Sequence, residues 1–382
     1  MTDSADEGPL LYAVGDIAPD RDDPRECFAL VRDELRRADI GFCQLEVNLT
    51  ERGARLPQVR HTHRARPSTA RALADAGFSV VSFAGNHCLD WGPDGFHDTV
   101  EHLRAARLEV VGVGDDIAQA RRPVLLERAG VRVAFLAYSS ILPAHYWAEA
   151  RRPGCAPMRA FTVYEPIEPD QPGTPARIHT YPHRDDLATL CADVAAAKQR
   201  ADVVIVSLHW GIHFVPEVIA DYQRDVGHAA VDAGADLILG HHAHILKGVE
   251  IYRGKTIFYS LCNFAMDLRM DEAHAQSKGF KEIQSLHPGW VPDFDSLYNF
   301  PPESRMTSIA RARLTRDGAQ QVGLLPVYIN RNAQPEIVAA SDPRFGEIAR
   351  YMQRISDSQG LNVRFEPDGD VVWIREAARR PA

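Results

Sequence analysis

Short apolar runs alternate with helix-forming segments over the first three-quarters of the chain. Each run has the length of one strand, and most end at a polar residue. The predicted strands cover 10–16, 40–46, 80–85, 203–210 and 236–242, and the predicted helices lie near 24–37, from Pro67 onwards, and over 93–106 and 219–233. This alternation predicts a largely parallel sheet covered by helices.

Two long segments interrupt the alternation, and regular patterns return in the tail. Residues 143–183 and 265–303 are too long for ordinary connections, so we interpret them as lid or substrate loops, with plain surface excursions as the alternative. The remaining predictions are a hairpin over 123–140 that turns at Ala129-Gly130, strands over 308–314, 323–329 and 370–376, and a helix over 343–357.

Composition is that of an ordinary soluble globular protein. Of the 382 residues, 45% are hydrophobic and 25% are charged. The net charge of -9 argues against a sequence-independent nucleic-acid binder, which needs a basic surface. We therefore expect no nucleic-acid partner.

Location is predicted from three features that the sequence lacks. The acidic N-terminus has no signal-peptide pattern, and no apolar run approaches the ~20 residues of a membrane span. The six cysteines are scattered without a CxxC pair, which disfavours a disulfide framework or a zinc ribbon. We expect a cytoplasmic protein with free thiols and no membrane contact.

Three histidines follow the apolar run 237–239 within four positions, in the sequence GHHAH. His242 and His244 alternate with Ala243, so an extended loop would direct both rings at one ion. A single buried histidine is more often a hydrogen-bonded core residue, but three histidines at a strand end favour a metal site.

Polar residues that end predicted strands supply further candidates. They are Asp16, Glu46, Asn86 with His87, His209, and His242 with His244. Parallel strands place their carboxyl ends at one edge of the sheet, where α/β proteins bind ligands. Mixed oxygen and imidazole donors suit a divalent ion, and the lack of convergent thiolates disfavours structural zinc. The H-x-x-D spacing of His87 and Asp90 lets the carboxylate orient an imidazole for acid–base work.

These blocks resemble the CapA-like (poly-γ-glutamate capsule synthesis) branch of the calcineurin-like metallophosphoesterase superfamily. The matching pieces are Gly15-Asp16, Leu45-Glu46, Ala84-Gly85-Asn86-His87 through Asp90, His209-Trp210-Gly211, Gly240 through His244, and EIYRGKTIFYSLCNF. The resemblance implies an α/β four-layer α/β/β/α sandwich with two mixed sheets. It also implies a metal site of Asp16, Glu46, Asn86, His209, His242 and His244, with His87 as acid/base. We therefore interpret residues 1–9 as disordered and 10–382 as a single catalytic domain with the two insertions.

Departures from the superfamily pattern concern the metal site. The usual D-x-H is Asp16-Ile17-Ala18, a loss that the CapA-like branch shares. The usual Asn before Leu-Glu is Gln44, the acidic residue after His-Trp-Gly is His213, and the Gly of S-L-G-N-F is Cys262. A depleted dinuclear site is poorly matched to phosphoryl transfer, where two metals clamp the reacting oxygens. We therefore expect one divalent ion (Ca²⁺, Mn²⁺, Mg²⁺ or Zn²⁺), with two as the alternative.

Function is predicted from this depleted site and from the expected cytoplasmic location. The chain looks like CapA-like relatives of ribosomal-peptide biosynthesis, including lasso-peptide maturation. The favoured hypothesis is a metal-dependent epimerase that inverts the Cα of a precursor peptide's C-terminal residue. Two acid–base groups would serve it: His87 with Asp90, and His242 or His244 with Asp16. The alternatives are a metal-dependent hydrolase of a phosphoester or of a γ-glutamyl or peptide amide, and a non-catalytic binding protein.

Substrate contacts are predicted in the two insertions and beside the metal site. The candidates are Trp147, Arg151, His213, Asn263 and Trp290, together with Tyr146, Phe294 and Tyr298. Local packing of the loops is an equal alternative for the aromatic residues. The expected partner is a peptide substrate, and a homodimer is left open.

Overall fold

Two mixed β-sheets form the centre of the molecule, which the computed structural model describes over residues 8–59 and 63–377. The strands are β1 (Leu10–Ala18), β2 (Ile40–Leu45), β3 (Asn48–Leu49), β4 (Arg64–Ala65), β5 (Val80–Ser82), β6 (Glu109–Val111), β7 (Val113–Gly114), β8 (Val124–Arg128), β9 (Val131–Ser139), β10 (Gly154–Cys155), β11 (Ala160–Pro166), β12 (Ala176–Pro182), β13 (Val203–His209), β14 (Leu237–His241), β15 (Val249–Tyr252), β16 (Lys255–Phe258), β17 (Asn263–Met266), β18 (Met306–Thr315), β19 (Gly318–Ile329), β20 (Pro335–Ile337), β21 (Val363–Asp368) and β22 (Val371–Glu376).

Helices range from single turns of four residues to 15 residues. They are α1 (Arg32–Leu35), α2 (Ser68–Ala76), α3 (Gly92–Ala105), α4 (Ile117–Ala120), α5 (Arg184–Lys198), α6 (Asp221–Asp232), α7 (Glu272–Gln276), α8 (Lys278–Gln284) and α9 (Pro343–Asp357), with 3-10 helices at Pro24–Phe28 and Pro302–Arg305. The three longest are α3, α5 and α9. Within the described ranges, no helix is both long enough and apolar enough to cross a bilayer.

The larger sheet has ten strands in the order β21-β22-β19-β18-β1-β2-β5-β6, with β17 beside β1 and β20 beside β19. Strands β1, β2, β5, β6 and β17 run parallel, whereas β18 to β22 pair antiparallel. The smaller sheet has the order β15-β16-β14-β13-β9-β8, with parallel central strands and an antiparallel strand at each edge. Both sheets are therefore mixed.

The two sheets pack face to face, with helices on the outer faces. Phe42 of β2 stacks on Phe135 of β9, with ring centroids 5.7 Å apart. Helix α3 packs against β6 of the larger sheet, and α5 packs against β9 and β13 of the smaller one. The fold is thus the four-layer α/β/β/α sandwich that the resemblance implied.

Most regular elements agree with the sequence pattern. The hairpin over 123–140 is confirmed as β8 and β9, and the tail helix is confirmed over Pro343–Asp357. The predicted parallel pairing is present at the centre of each sheet, but antiparallel strands extend both sheets, so neither is parallel throughout. The helix over 24–37 is also wrong: it is a 3-10 helix followed by one turn of α-helix.

Both long segments contain structure that the sequence pattern did not reveal. The first holds the antiparallel hairpin β11–β12. The second contributes Met270, Phe280 and Trp290 to a small apolar cluster with Phe214. Of the segment predicted to be disordered, residues 1–7 lie outside the described ranges, while the carbonyl of Pro9 accepts a hydrogen bond from Leu314 N at 2.9 Å.

Lys247 is a buried cation between the sheet and the loop that follows β13. Its side chain donates to the carbonyl of Val215 and, at 2.9 Å, to that of Val218. Burial lowers the pKa of Lys247 to about 7, against a smaller opposing effect of Glu217. Between pH 7 and the unfolded pKa near 10.4, the unfolded chain therefore binds more protons at this position than the folded chain.

The pH dependence of stability should reveal this buried lysine. As pH rises from 7 to 9, the free energy of unfolding of the wild type should increase by roughly 2 kcal/mol relative to that of Lys247→Met. Urea unfolding at several pH values measures both. Parallel profiles for the two proteins would show that Lys247 stays charged in the folded state up to pH 9.

Candidate functional site

Strand register brings the predicted strand-end residues to one edge between the two sheets. Asp16 in β1 stands opposite Asn263 of β17 and Gln44 of β2. His209 and His241 are register partners at the ends of β13 and β14. Glu46 follows β2 directly, and its amide donates to Ile17 O at 2.9 Å.

Close backbone contacts fix the position of Asp16. A Cβ at Gly15 would lie 1.9 Å from the carbonyl oxygen of Cys262, so only glycine allows this approach. The amide of Asp16 donates to the same carbonyl at 2.9 Å. Cys262 has a φ of +66°, which explains why the family's pattern has glycine there.

Donor atoms form two groups that share Glu46. Glu46, His209 and His242 form one, and Asp16, Glu46 and His244 form the other, with the ligand atoms of each group within 4.8 Å of one another. In the first, Glu46 Oε1 lies 3.4 Å from His209 Nε2. In the second, His244 Nδ1 lies 3.8 Å from both Asp16 Oδ2 and Glu46 Oε2.

His242 and His244 belong to different donor groups, whereas the sequence pattern predicted that an extended loop would direct both rings at one ion. Both residues have left-handed backbone conformations, with φ of +85° and +56°, and the loop is not extended. Their ring centroids lie 6.0 Å apart, and each ring belongs to a different donor group. Left-handed non-glycine residues are strained and cluster at functional sites.

The first donor group is the more complete. Asn86 Oδ1 lies 2.6 Å from His209 Nε2, which adds an amide oxygen to a carboxylate and two imidazoles. In the second group, Ala18 stands where the superfamily has a histidine. The amide of Asn263, which donates to the Tyr298 hydroxyl at 2.8 Å, presents its oxygen 2.7 Å from His244 Nδ1. Asn86 contacts His209 of the first group in the same way.

Whether a cation fits this site can be judged from the buried polar atoms that lack hydrogen-bond partners. Within the described residues they include both carboxylate oxygens of Glu46, Oδ1 of Asp16, and Nδ1 of His209 and of His242. Buried carboxylates without donors are unfavourable unless a cation neutralises them. The set of a carboxylate, an amide oxygen and two imidazoles suits a borderline ion such as Mn²⁺ or Zn²⁺.

Burial keeps His209 and His242 neutral, as metal ligation requires. It lowers the pKa of His209 to about 4 and that of His242 well below its usual value. Burial also raises the pKa of Glu46 to about 7. The pKa of Asp16 is lowered in spite of its burial, chiefly because of its contact with His241.

His87 and Asp90 form the predicted hydrogen-bonded pair. His87 Nδ1 lies 2.6 Å from Asp90 Oδ2, and the hydroxyl of Tyr146 donates to Asp90 Oδ1 at 2.9 Å. Nε2 of His87 lies 4.0 Å from Glu46 Oε1. Burial opposes the charged imidazole, but the carboxylate of Asp90 prevails and raises the pKa of His87 to about 9.

Removing the carboxylate of Asp90 should lower the pKa of His87. In metal-free Asp90→Asn we expect a decrease of about two units, because an adjacent opposite charge shifts a pKa by about one to three units. Tyr146→Phe is the matched control, since it removes the hydroxyl but keeps the charge. NMR titration of the imidazole resonances measures both. An unchanged value in Asp90→Asn would exclude Asp90 as the partner that holds this proton.

The second predicted acid–base pair was His242 or His244 with Asp16, and the His242 alternative differs from the structure. Asp16 accepts a hydrogen bond from the backbone amide of His242 at 3.0 Å, not from its ring. The ring nearest to Asp16 is that of His241, whose Nδ1 lies 3.3 Å from Oδ1 without the alignment of a hydrogen bond. Sequence reasoning gave His241 no role, although its place as the last residue of β14 was the available signal.

Of the five substrate candidates, two contact histidines of the site and three do not contact it directly. The ring of His213 lies 3.9 Å from that of His242, and Asn263 contacts His244. Trp147 follows Tyr146 and lies beneath the guanidinium groups of Arg152 and Arg159. Trp290 is separated from His244 by Phe214, and Arg151 is exposed in a turn.

An aromatic wall, which we define as Phe214, Trp290, Tyr298 and Phe300, lies beside His244. The rings of Phe214 and Phe300 lie 5.5 and 5.3 Å from the His244 ring. Tyr298 packs on Phe300. The wall combines residues from distant segments, and only Trp290 and Tyr298 were candidates from the sequence. Phe294, the other aromatic candidate, is exposed.

Comparisons with known proteins match the part of the chain that carries the site. The family described as "Bacterial capsule synthesis protein PGA_cap" matches residues 10–268, which include both donor groups and His87. "PGA biosynthesis protein CapA" of Bacillus subtilis is 30% identical over 200 residues, 52% of this chain and 45% of that protein. "Capsule biosynthesis protein CapA" of Bacillus anthracis is 32% identical over 203 residues, 53% of this chain and 44% of that protein.

The chain thus spans about half the length of these relatives. Among solved structures, a hypothetical protein from Thermus thermophilus is 15% identical, with a TM-score of 0.43. The match covers 85% of this chain and 95% of that protein.

Proposed function

We propose a function for this chain, which belongs to the bacterial capsule synthesis protein family PGA_cap. It is a metal-dependent acid–base enzyme that acts on a peptide and inverts the Cα of the peptide's C-terminal residue. The proposal rests on one arrangement. His87 and His244 approach opposite oxygens of Glu46, at 4.0 and 3.8 Å, beside the more complete donor group. Inversion at Cα requires two proton-transfer groups and a means of acidifying the proton.

Each part of the site has one task in this reaction. A divalent ion held by Glu46, Asn86, His209 and His242 would supply Lewis-acid polarisation of the substrate carboxyl group. The imidazole of His244, oriented by Asn263, accepts the Cα proton. The protonated imidazole of His87, whose Nδ1 is held by Asp90, returns a proton from Nε2 to the opposite face of the planar carbanion. No covalent bond other than Cα–H breaks.

A hydrolase is the second candidate, and the sharing of Glu46 by two donor groups favours it. Two ions bridged by one carboxylate are the usual arrangement for activating water against an ester or amide. The names of the relatives refer to PGA and capsule biosynthesis. This alternative would therefore act on a γ-glutamyl or peptide amide, or on a phosphoester.

Incubation in D₂O separates these functions. The protein is loaded with Mn²⁺ and mixed with candidate precursor peptides and with poly-γ-glutamate. We expect one deuterium at one Cα, inverted configuration and unchanged chain length. Fragments or released phosphate would support hydrolysis instead. Neither change, together with no bound metal, would leave only a non-catalytic binding protein.

A further inference from the structure

The hairpin β11–β12, which we call the arm (residues 160–182), carries an unusual amount of exposed apolar surface. Six of the twelve large hydrophobic side chains exposed in the described part of the chain lie on it: Phe161, Val163, Tyr164, Ile167, Ile178 and Tyr181. Their exposed fractions range from 47% to 68%. Concentrated apolar surface of this kind marks an interaction site.

Apolar groups occupy both faces of the arm. In its antiparallel register Phe161 stands opposite Tyr181, and Tyr164 stands opposite Ile178. Because side chains alternate along a strand, these two pairs lie on opposite faces. The arm therefore does not cover a core with either face along this stretch.

The strand edges are also open. Within residues 8–59 and 63–377, β11 and β12 pair only with each other. Neither 161–165 nor 177–181 contains a proline or a lysine, residues that commonly block edge pairing. An isolated two-stranded hairpin is marginally stable in water, so this arrangement calls for a further partner.

The base of the arm is firmly attached to the domain. The amide of Thr180 donates to Asp221 Oδ2 at 3.1 Å, and the hydroxyl of Thr180 accepts from the amide of Tyr222 at 3.1 Å. Arg159, just before β11, forms an ion pair with Asp186 at 2.7 Å. The domain therefore holds the arm in place, with its apolar groups directed outwards.

We propose that the arm binds the arm of a second copy of this chain and forms a two-fold homodimer. Six side chains of about 100 Å² exposed area each give roughly 600 Å² per copy, close to the about 800 Å² per partner of a stable interface. A two-fold interface uses the same patch on both copies, so one apolar face of each arm meets the same face of the partner's arm, and the other face lies against the partner's domain. An extended peptide along one edge would leave those faces in water.

The test is the mass of the protein in solution. Sedimentation equilibrium of the wild type should give the mass of two chains at micromolar concentration. Tyr164→Ser with Ile178→Ser, which changes one face, should weaken association at least tenfold. The matched control is Leu286→Ser with Val291→Ser, which also replaces two exposed apolar residues but should leave the dimer intact. The proposal would be overturned if the wild type kept the mass of one chain at concentrations up to about 100 µM. It would also be overturned if the control variant weakened association as much as the arm variant does.

Amide hydrogen exchange tests the same surface without any substitution. Residues 161–165 and 177–181 of the wild type should exchange more slowly at high than at low protein concentration. Protection that is independent of concentration would overturn the proposal. Protection that appears only with an added peptide would assign the arm to that peptide instead. Neither measurement depends on catalysis, so the dimer can fail while the proposed activity stands.

Discussion

Replacing Glu46 with Gln is expected to remove the bound divalent ion and lower turnover by at least about 1000-fold. Glu46 is the one carboxylate that both donor groups use, and it is buried with both oxygens lacking hydrogen-bond partners. An amide keeps the shape but removes the charge that a cation needs. Removing one electrostatic group of this kind lowers the rate by about two to three orders of magnitude, and loss of the ion lowers the rate further.

Metal analysis and unfolding together check this result. Bound Mn²⁺ per chain should fall to background in Glu46→Gln and stay unchanged in Glu51→Gln, where the neighbouring carboxylate is exposed. The metal-free variant should unfold at the same or a higher urea concentration than the metal-free wild type, because a buried carboxylate without partners has been removed. Full metal content in Glu46→Gln would exclude Glu46 as the shared ligand.

Replacing His87 with Ala is expected to abolish inversion while the metal content is retained. General acid–base groups contribute about 100- to 10,000-fold in rate. Nε2 of His87 lies 4.0 Å from the nearest Glu46 oxygen, and neither donor group includes this histidine. Loss of metal in His87→Ala would move this residue into the ligand set.

A two-base reaction makes a sharper prediction for the same variant. With His87 absent, one stereoisomer of the substrate should no longer exchange its Cα proton in D₂O. The other should still exchange through His244 without inverting. His97→Ala, a half-buried histidine on α3 outside both donor groups, is the control and should behave as the wild type. Equal loss of exchange from both stereoisomers would contradict a separate role for His244.

The sequence predicted the site's residues better than their conformations. Asp16, Glu46, Asn86 and His209 were predicted from strand ends, because parallel strands place the residues at their carboxyl ends along a common edge. The separation of His242 from His244 depends on left-handed backbone conformations, which the pattern H-A-H does not encode. The contact of His241 with Asp16 likewise depends on how β14 faces β1 across the two sheets.

Long-range packing explains what else was missed. Phe214 and Phe300 reach His244 only because two loops separated by the whole of β14 to β17 fold against each other. Residues 143–183 were interpreted as an irregular loop because the prolines and charged residues of this segment interrupt the pattern expected of a strand. Its apolar residues are exposed in the hairpin, so they do not show the alternation of a half-buried strand.

The central claim is that one divalent ion occupies the group of Glu46, Asn86, His209 and His242, leaving His244 free for proton transfer. Anomalous diffraction from crystals soaked in Mn²⁺ tests it most directly. We expect a single peak between those four side chains, with His244 Nδ1 still in contact with Asn263. A second peak of similar occupancy between Asp16, Glu46 and His244 would contradict it and favour the hydrolase.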